Sequence, residues 1–131
     1  MDRRSRHTFL ALIVLQVLHS VEEYWGRLFD VFMPARTISQ LVSSNHALGF
    51  IIVNLGFIAF GFWCYFTRVR VGAPTAWAWA WAWVVLEFAN GIGHPLIAIS
   101  RGTYFPGVIT APFLLMVSAY LGYRLNTCRS K

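Results

Sequence analysis

Four apolar stretches, each near twenty residues long, leave this chain few ways to fold. They run from about Thr8 helically towards Phe29, from about Ala47 to Phe66, from Ala76 to Ile99 and from Gly107 to Tyr123. A helix needs ~20 such residues to cross ~30 Å of hydrocarbon. Between them lie breakers and charges: Pro34 and Arg36; Arg68, Arg70, Gly72 and Pro74; Arg101, Gly102 and Pro106. Backbone in lipid must satisfy its own hydrogen bonds, so spans this long read as helices rather than barrel strands. The expected fold is all-α, a four-transmembrane-helix bundle forming a single integral membrane domain over residues 1–131.

Composition removes the alternatives. Only 12% of residues are charged, against about 25% in soluble domains. The 17% of aromatic residues is the opposite of a disorder signature. The net charge of +6 is carried by residues lying between the hydrophobic runs rather than in a patch; this points to topology and not to nucleic acid. With the N-terminus inside, Arg3, Arg4, Arg6, Arg68, Arg70, Arg124, Arg129 and Lys131 share one side, and Arg27, Arg36 and Arg101 the other. That asymmetry places both termini in the cytoplasm. Arg3, Arg4 and Arg6 before the apolar run from Phe9 to Leu18 imitate a signal peptide, but no small-residue cleavage site follows. The segment therefore reads as a retained first helix. Cys64 and Cys128 have neither metal-like nor redox spacing, and no structural disulfide is expected.

Ionisable groups at membrane depth are costly and normally mark function. The first stretch carries Gln16, His19, Glu22 and Glu23; spacings of three and four put both carboxylates beside the imidazole. In the third, Glu87, Asn90 and His94 fall on one helical stripe, which Trp83 and Trp79 continue as an aromatic wall. At 1.5 Å per residue, His19 stands roughly 16 Å above Thr8, and Glu87 roughly 16 Å above Ala76. Asn54, about 12 Å in from the start of the descending second helix, joins them in the outer half of the bilayer. Plainer roles are also open: Asn54 bonding a neighbouring helix, His46 merely starting one behind a Ser44 or Asn45 cap, Glu22 pairing with Arg27, and Trp77 and Trp81 facing lipid. Arg101 to Gly107, with Tyr104, reads as a lid or as an interfacial turn, and Pro112 as a kink or a first-turn residue.

The string His19-Ser-Val-Glu22-Glu23, then Asn90-Gly-Ile-Gly-His94, then Arg101-Gly-Thr-Tyr104-Phe-Pro106-Gly107 resembles the HXXEE-domain family of small bacterial membrane proteins. That family has no known function and has been supposed enzymatic. The resemblance implies a polar centre of His19, Glu22, Glu23, Asn90 and His94 in a multi-pass protein of the bacterial inner membrane.

Three functions suit these residues. In a metal-dependent enzyme, His19, Glu23, Glu87 and His94, with His46 as a further candidate, hold zinc or iron. In a metal-free isomerase or cyclase, Glu23 or Glu87 is the acid and His19 or His94 the base, with Trp79 and Trp83 facing a developing cation. In a lipid binder or proton-coupled transporter, the same groups form a ligand site or relay, with a homo-oligomer expected to complete the path. The expected partners are membrane lipid and a hydrophobic, lipid- or isoprenoid-like substrate. The expected catalytic residues are His19, Glu22, Glu23, Glu87, Asn90 and His94, and the expected substrate contacts Trp79, Trp83, Asn54 and Tyr104.

Overall fold

In the computed structural model, which describes residues 1–129, Asp2 opens the first helix by accepting a hydrogen bond from the Ser5 amide at 3.1 Å. That bond satisfies one of the four donors a helix start leaves orphaned. Helix α1, Arg3–Trp25, is followed by the short α2, Leu28–Val31, then by α3, Met33–Val42, and α4, His46–Cys64. A single π turn, Tyr65–Val69, extends α4; α5 spans Ala76–Arg101 and α6 Ala111–Arg129. No strand occurs among the described residues. Lys131, and the side chains of Arg129 and Cys128, lie outside the described part. Cys64 is buried and free.

Two expected boundaries move. The first helix stops at Trp25 rather than continuing to Phe29, because Gly26 closes it and Arg27 turns into the left-handed region at φ 55°. The last helix begins at Ala111 rather than Gly107, and Pro112 falls in its first turn, where a missing N–H costs nothing. For the same reason Pro34 and Arg36, expected as a break, lie inside α3, whose first turn takes the proline. Asn45 caps α4 through its side chain, bonding the Leu48 amide at 3.1 Å.

Two helices are long and apolar enough to cross a membrane: α4 with its π turn, His46–Val69, at mean hydropathy 2.1, and α5, Ala76–Arg101, at 1.3. The α5–α6 pair packs most extensively. At Gly91 the two backbones come so close that a Cβ would sit 2.6 Å from that of Leu115. Helix α1 rests on α4 and α6 and meets α5 over a short stretch only.

Apolar side chains gather in two clusters. Phe9, Leu12, Ile13, Trp83, Val84 and Leu121 belong to the larger, and Leu28, Phe29, Phe50 and Phe105 to the smaller. Along α5, Glu87 and His94 fall between Ala80–Val84, which feed the larger cluster, and Ile97–Ala98, which pack on the smaller; on α1, Gln16, His19, Ser20 and Glu23 follow the residues of the larger cluster and precede α2, which feeds the smaller. The site lies in that layer.

Candidate metal centre

One helical turn separates His19 from Glu23, and the α1 backbone brings His19 Nε2 to 3.4 Å from Glu23 Oε1. Helix α5 brings His94 to the same oxygen, with Nε2 3.3 Å away. The two imidazoles meet edge to face, centroids 4.6 Å apart and planes at 83°. All three residues are buried. One ligating atom from each lies within 4.8 Å of the others, so the group can hold a metal ion.

The loop between α5 and α6 closes on this group. His94 Nδ1 lies 2.6 Å from the carbonyl of Pro106, which only accepts, so that nitrogen carries the proton. His19 Nδ1 lies 2.7 Å from Thr110 Oγ1. The threonine's single proton goes to Glu22 Oε2 at 2.6 Å, which makes its oxygen the acceptor from His19. In their neutral forms both imidazoles therefore turn unprotonated Nε2 atoms towards the Glu23 carboxylate. His19 Nε2 has no hydrogen-bond partner. With both rings neutral, three acceptors converge with no donor among them.

Gly107 makes this closure possible. Its φ is +93°, and a Cβ there would lie 2.5 Å from His94 Nδ1 and 2.7 Å from His19 Cε1. Only glycine combines that backbone with that approach.

Glu22 faces the loop rather than the imidazoles. Its Oε1 accepts from Tyr104 Oη and the Ile109 amide, both at 3.0 Å. Its Oε2 accepts from the Thr110 amide at 2.8 Å as well as from the hydroxyl. A carboxylate at the start of α6 also meets the positive end of that helix. Burial, and then the bond to Glu22, push the Tyr104 phenol above its ordinary value and keep it a donor. The expected alternative for Glu22 does not occur: Arg27 pairs instead with Asp30, at 2.6 Å.

A second polar group lies along α1. The Gln16 amide bridges Ser20 and Glu87: with its nitrogen towards Ser20 it donates to the hydroxyl at 3.1 Å, and with its nitrogen towards Glu87 it donates there at 2.8 and 3.2 Å. The Ser20 hydroxyl lies 2.8 Å from Asn54 Oδ1 on α4, and Asn54 donates to the Phe50 carbonyl at 3.0 Å. Asn90 donates to Glu87 at 3.3 Å.

The expected residues thus divide. His19, Glu23 and His94 come together; Glu87, Asn90 and Asn54 belong to the second group; Glu22 and Tyr104 belong to the loop. His46 stays at the start of α4, 2.8 Å from the Gln40 amide nitrogen. Trp83 is buried in the larger apolar cluster, stacked on Phe57 at 4.7 Å, and Trp79 packs on Phe60 and Trp63. Trp77 is exposed, whereas Trp81 is partly buried against that cluster. From the sequence alone Thr110 carries little weight. Its signal is weak but real: a hydroxyl residue directly before a helix and just after Pro-Gly.

A family profile described as "Protein of unknown function with HXXEE motif" matches residues 10–121, most of the chain. The chain belongs to the HXXEE family. In this HXXEE protein the motif histidine and second glutamate stand in the three-residue group, and the first glutamate on the loop. Neither the curated proteins nor the solved structures contain a match.

Proposed function

We propose that this HXXEE protein is a membrane-embedded metalloenzyme whose centre is His19, Glu23 and His94 and whose substrate is a hydrophobic, lipid- or isoprenoid-like molecule. The observation that carries the reading is the meeting of three acceptors with every nearby donor committed elsewhere. With the rings neutral, a single proton on Glu23 Oε1 satisfies one imidazole and leaves the other facing lone pairs, and charging both rings would set two buried cations against one carboxylate. A cation satisfies all three. Two histidines and a carboxylate are a ligand set of catalytic zinc and of non-haem iron, and both leave positions open. Around tetrahedral zinc, bonds of ~2.0–2.1 Å place ligand atoms about 3.3–3.4 Å apart. The contacts to Glu23, at 3.4 and 3.3 Å, have that separation. Bound metal would supply Lewis acidity or an activated water; the chain itself orients the ligands and excludes bulk water.

Surface chemistry supports four spans. Buried positions include Gln16, His19, Glu23, Glu87 and His94, while exposed ones include Leu18, Leu55, Val85, Ile99 and Met116. Polar inside and apolar outside is the arrangement for lipid. A groove of about 320 Å³ between α1 and α4, lined by Val17, Val21, Phe50 and Leu55 with Ser20 and Asn54 as its polar points, suits a hydrophobic ligand.

Elemental analysis of detergent-purified protein tests the centre. The expected result is close to one zinc or iron per chain, lost in His19→Ala and in His94→Ala. Protein that takes up neither zinc, iron nor cobalt after supplementation would overturn it.

A further inference from the structure

We infer that the two glutamates of the motif do different work: Glu23 is a ligand, and Glu22 is a positioning residue that latches the loop and, through Thr110, holds His19 in the tautomer able to bind metal. The inference rests on the metal-centre reading above and adds how that centre is closed.

Lone pairs decide it. An ionised carboxylate has about four acceptor sites, and Glu22 has four donors: Tyr104 Oη and Ile109 N on Oε1, Thr110 N and Thr110 Oγ1 on Oε2. Nothing is left with which to ligate. Every one of those donors comes from the segment joining α5 to α6. The same segment supplies the outer partner of each imidazole, Thr110 Oγ1 for His19 and the Pro106 carbonyl for His94. It also lays Gly107 against both rings. Glu22 thus anchors one piece of backbone on which both ligand tautomers depend. When the latch opens, Thr110 regains a free proton and two lone pairs, His19 loses the acceptor that fixed its Nδ1–H, and either ring nitrogen is free to carry the proton. Outer-shell partners of this kind typically govern metal affinity 10–100-fold.

The test has two independent readouts. Side-chain ¹⁵N NMR of metal-free protein reports the His19 tautomer; release of cobalt to a chelator reports closure. Wild type is expected to show His19 protonated at Nδ1. Thr110→Val, which keeps shape and removes the hydroxyl, and Glu22→Gln, which sets an amide donor against backbone donors, are expected to mix the tautomers and speed release about 10–100-fold. Thr110→Ser is expected to restore both readouts. Tyr104→Phe removes one donor at the exposed rim, leaves the helices untouched, and is expected to speed release by a smaller factor. Metal bound normally, with tautomer and release unchanged in Thr110→Val and Tyr104→Phe, would overturn the latch alone. A tautomer that shifts in Thr110→Val in a protein binding no metal would support the latch and overturn the metal centre.

Discussion

Two polar groups share the buried layer around α1, and they differ in one respect. Gln16, Ser20, Asn54 and Asn90 are amides and a hydroxyl, each both donor and acceptor, and each has a partner in the chain running to Glu87. With neutral rings, His19, Glu23 and His94 are not matched in that way, because the loop holds both Nδ1 protons. The first group pairs its members with one another, as interhelical polar contacts commonly do. The second brings together three groups that could hold a cation. The contrast separates polar residues that hold helices together from those that await a ligand.

The largest expected effect falls on the unmatched group. His94→Ala should take bound metal from near one per chain to near zero, while Asn54→Leu leaves it unchanged; elemental analysis of the two side by side decides whether the groups are functionally distinct. Loss of metal in both would erase the distinction. Next comes Gly107→Ala, whose methyl would overlap both rings. It should lower cobalt affinity at least about tenfold and shift the His19 and His94 resonances, with little change at Asn54.

Smaller effects belong to the matched group and the rims. Asn54→Leu or Ser20→Ala should cost about 1–3 kcal/mol of stability by stranding a buried partner, measured by unfolding in detergent; no change would mean the chain contributes nothing to packing. Tyr104 has its phenol raised above the ordinary 10.0. Its contribution is therefore complete below pH 10 and fades as pH rises through the higher folded value, so cobalt release should quicken there in wild type but not in Tyr104→Phe. At the far end of α1, the bond from Ser5, and then the Arg124 guanidinium, hold Asp2 at about 2 against an ordinary 3.8. Its small stabilisation is present above pH 3.8 and disappears as pH falls through about 2, and Asp2→Asn should flatten that part of the melting curve without touching metal.

Much of the helical content was legible along the chain because apolar runs and a 3.6-residue period are local properties. The same period put His19 and Glu23 on one face and aligned Glu87 with His94. The α1–α2 break escaped notice because nothing in Gly26-Arg27 announces a left-handed arginine. Helix α3 escaped because Pro34 was weighed as a breaker and not as a first-turn residue.

Sequence by itself determined that the polar residues would be few and clustered at one depth on three helices, since side chains that cost so much in an apolar setting survive only where they are used or matched. Tertiary structure alone decided which of them meet. Periodicity assigns a residue to a face but not to a partner: it set Glu87 and His94 on one stripe, yet packing gave the first to an amide and the second to a carboxylate. It also gave the loop its part, because whether Pro106, Gly107 and Thr110 touch two imidazoles depends on how α5 and α6 dock, and that is a contact between segments some 90 residues apart in the case of His19 and Thr110, which no local pattern encodes.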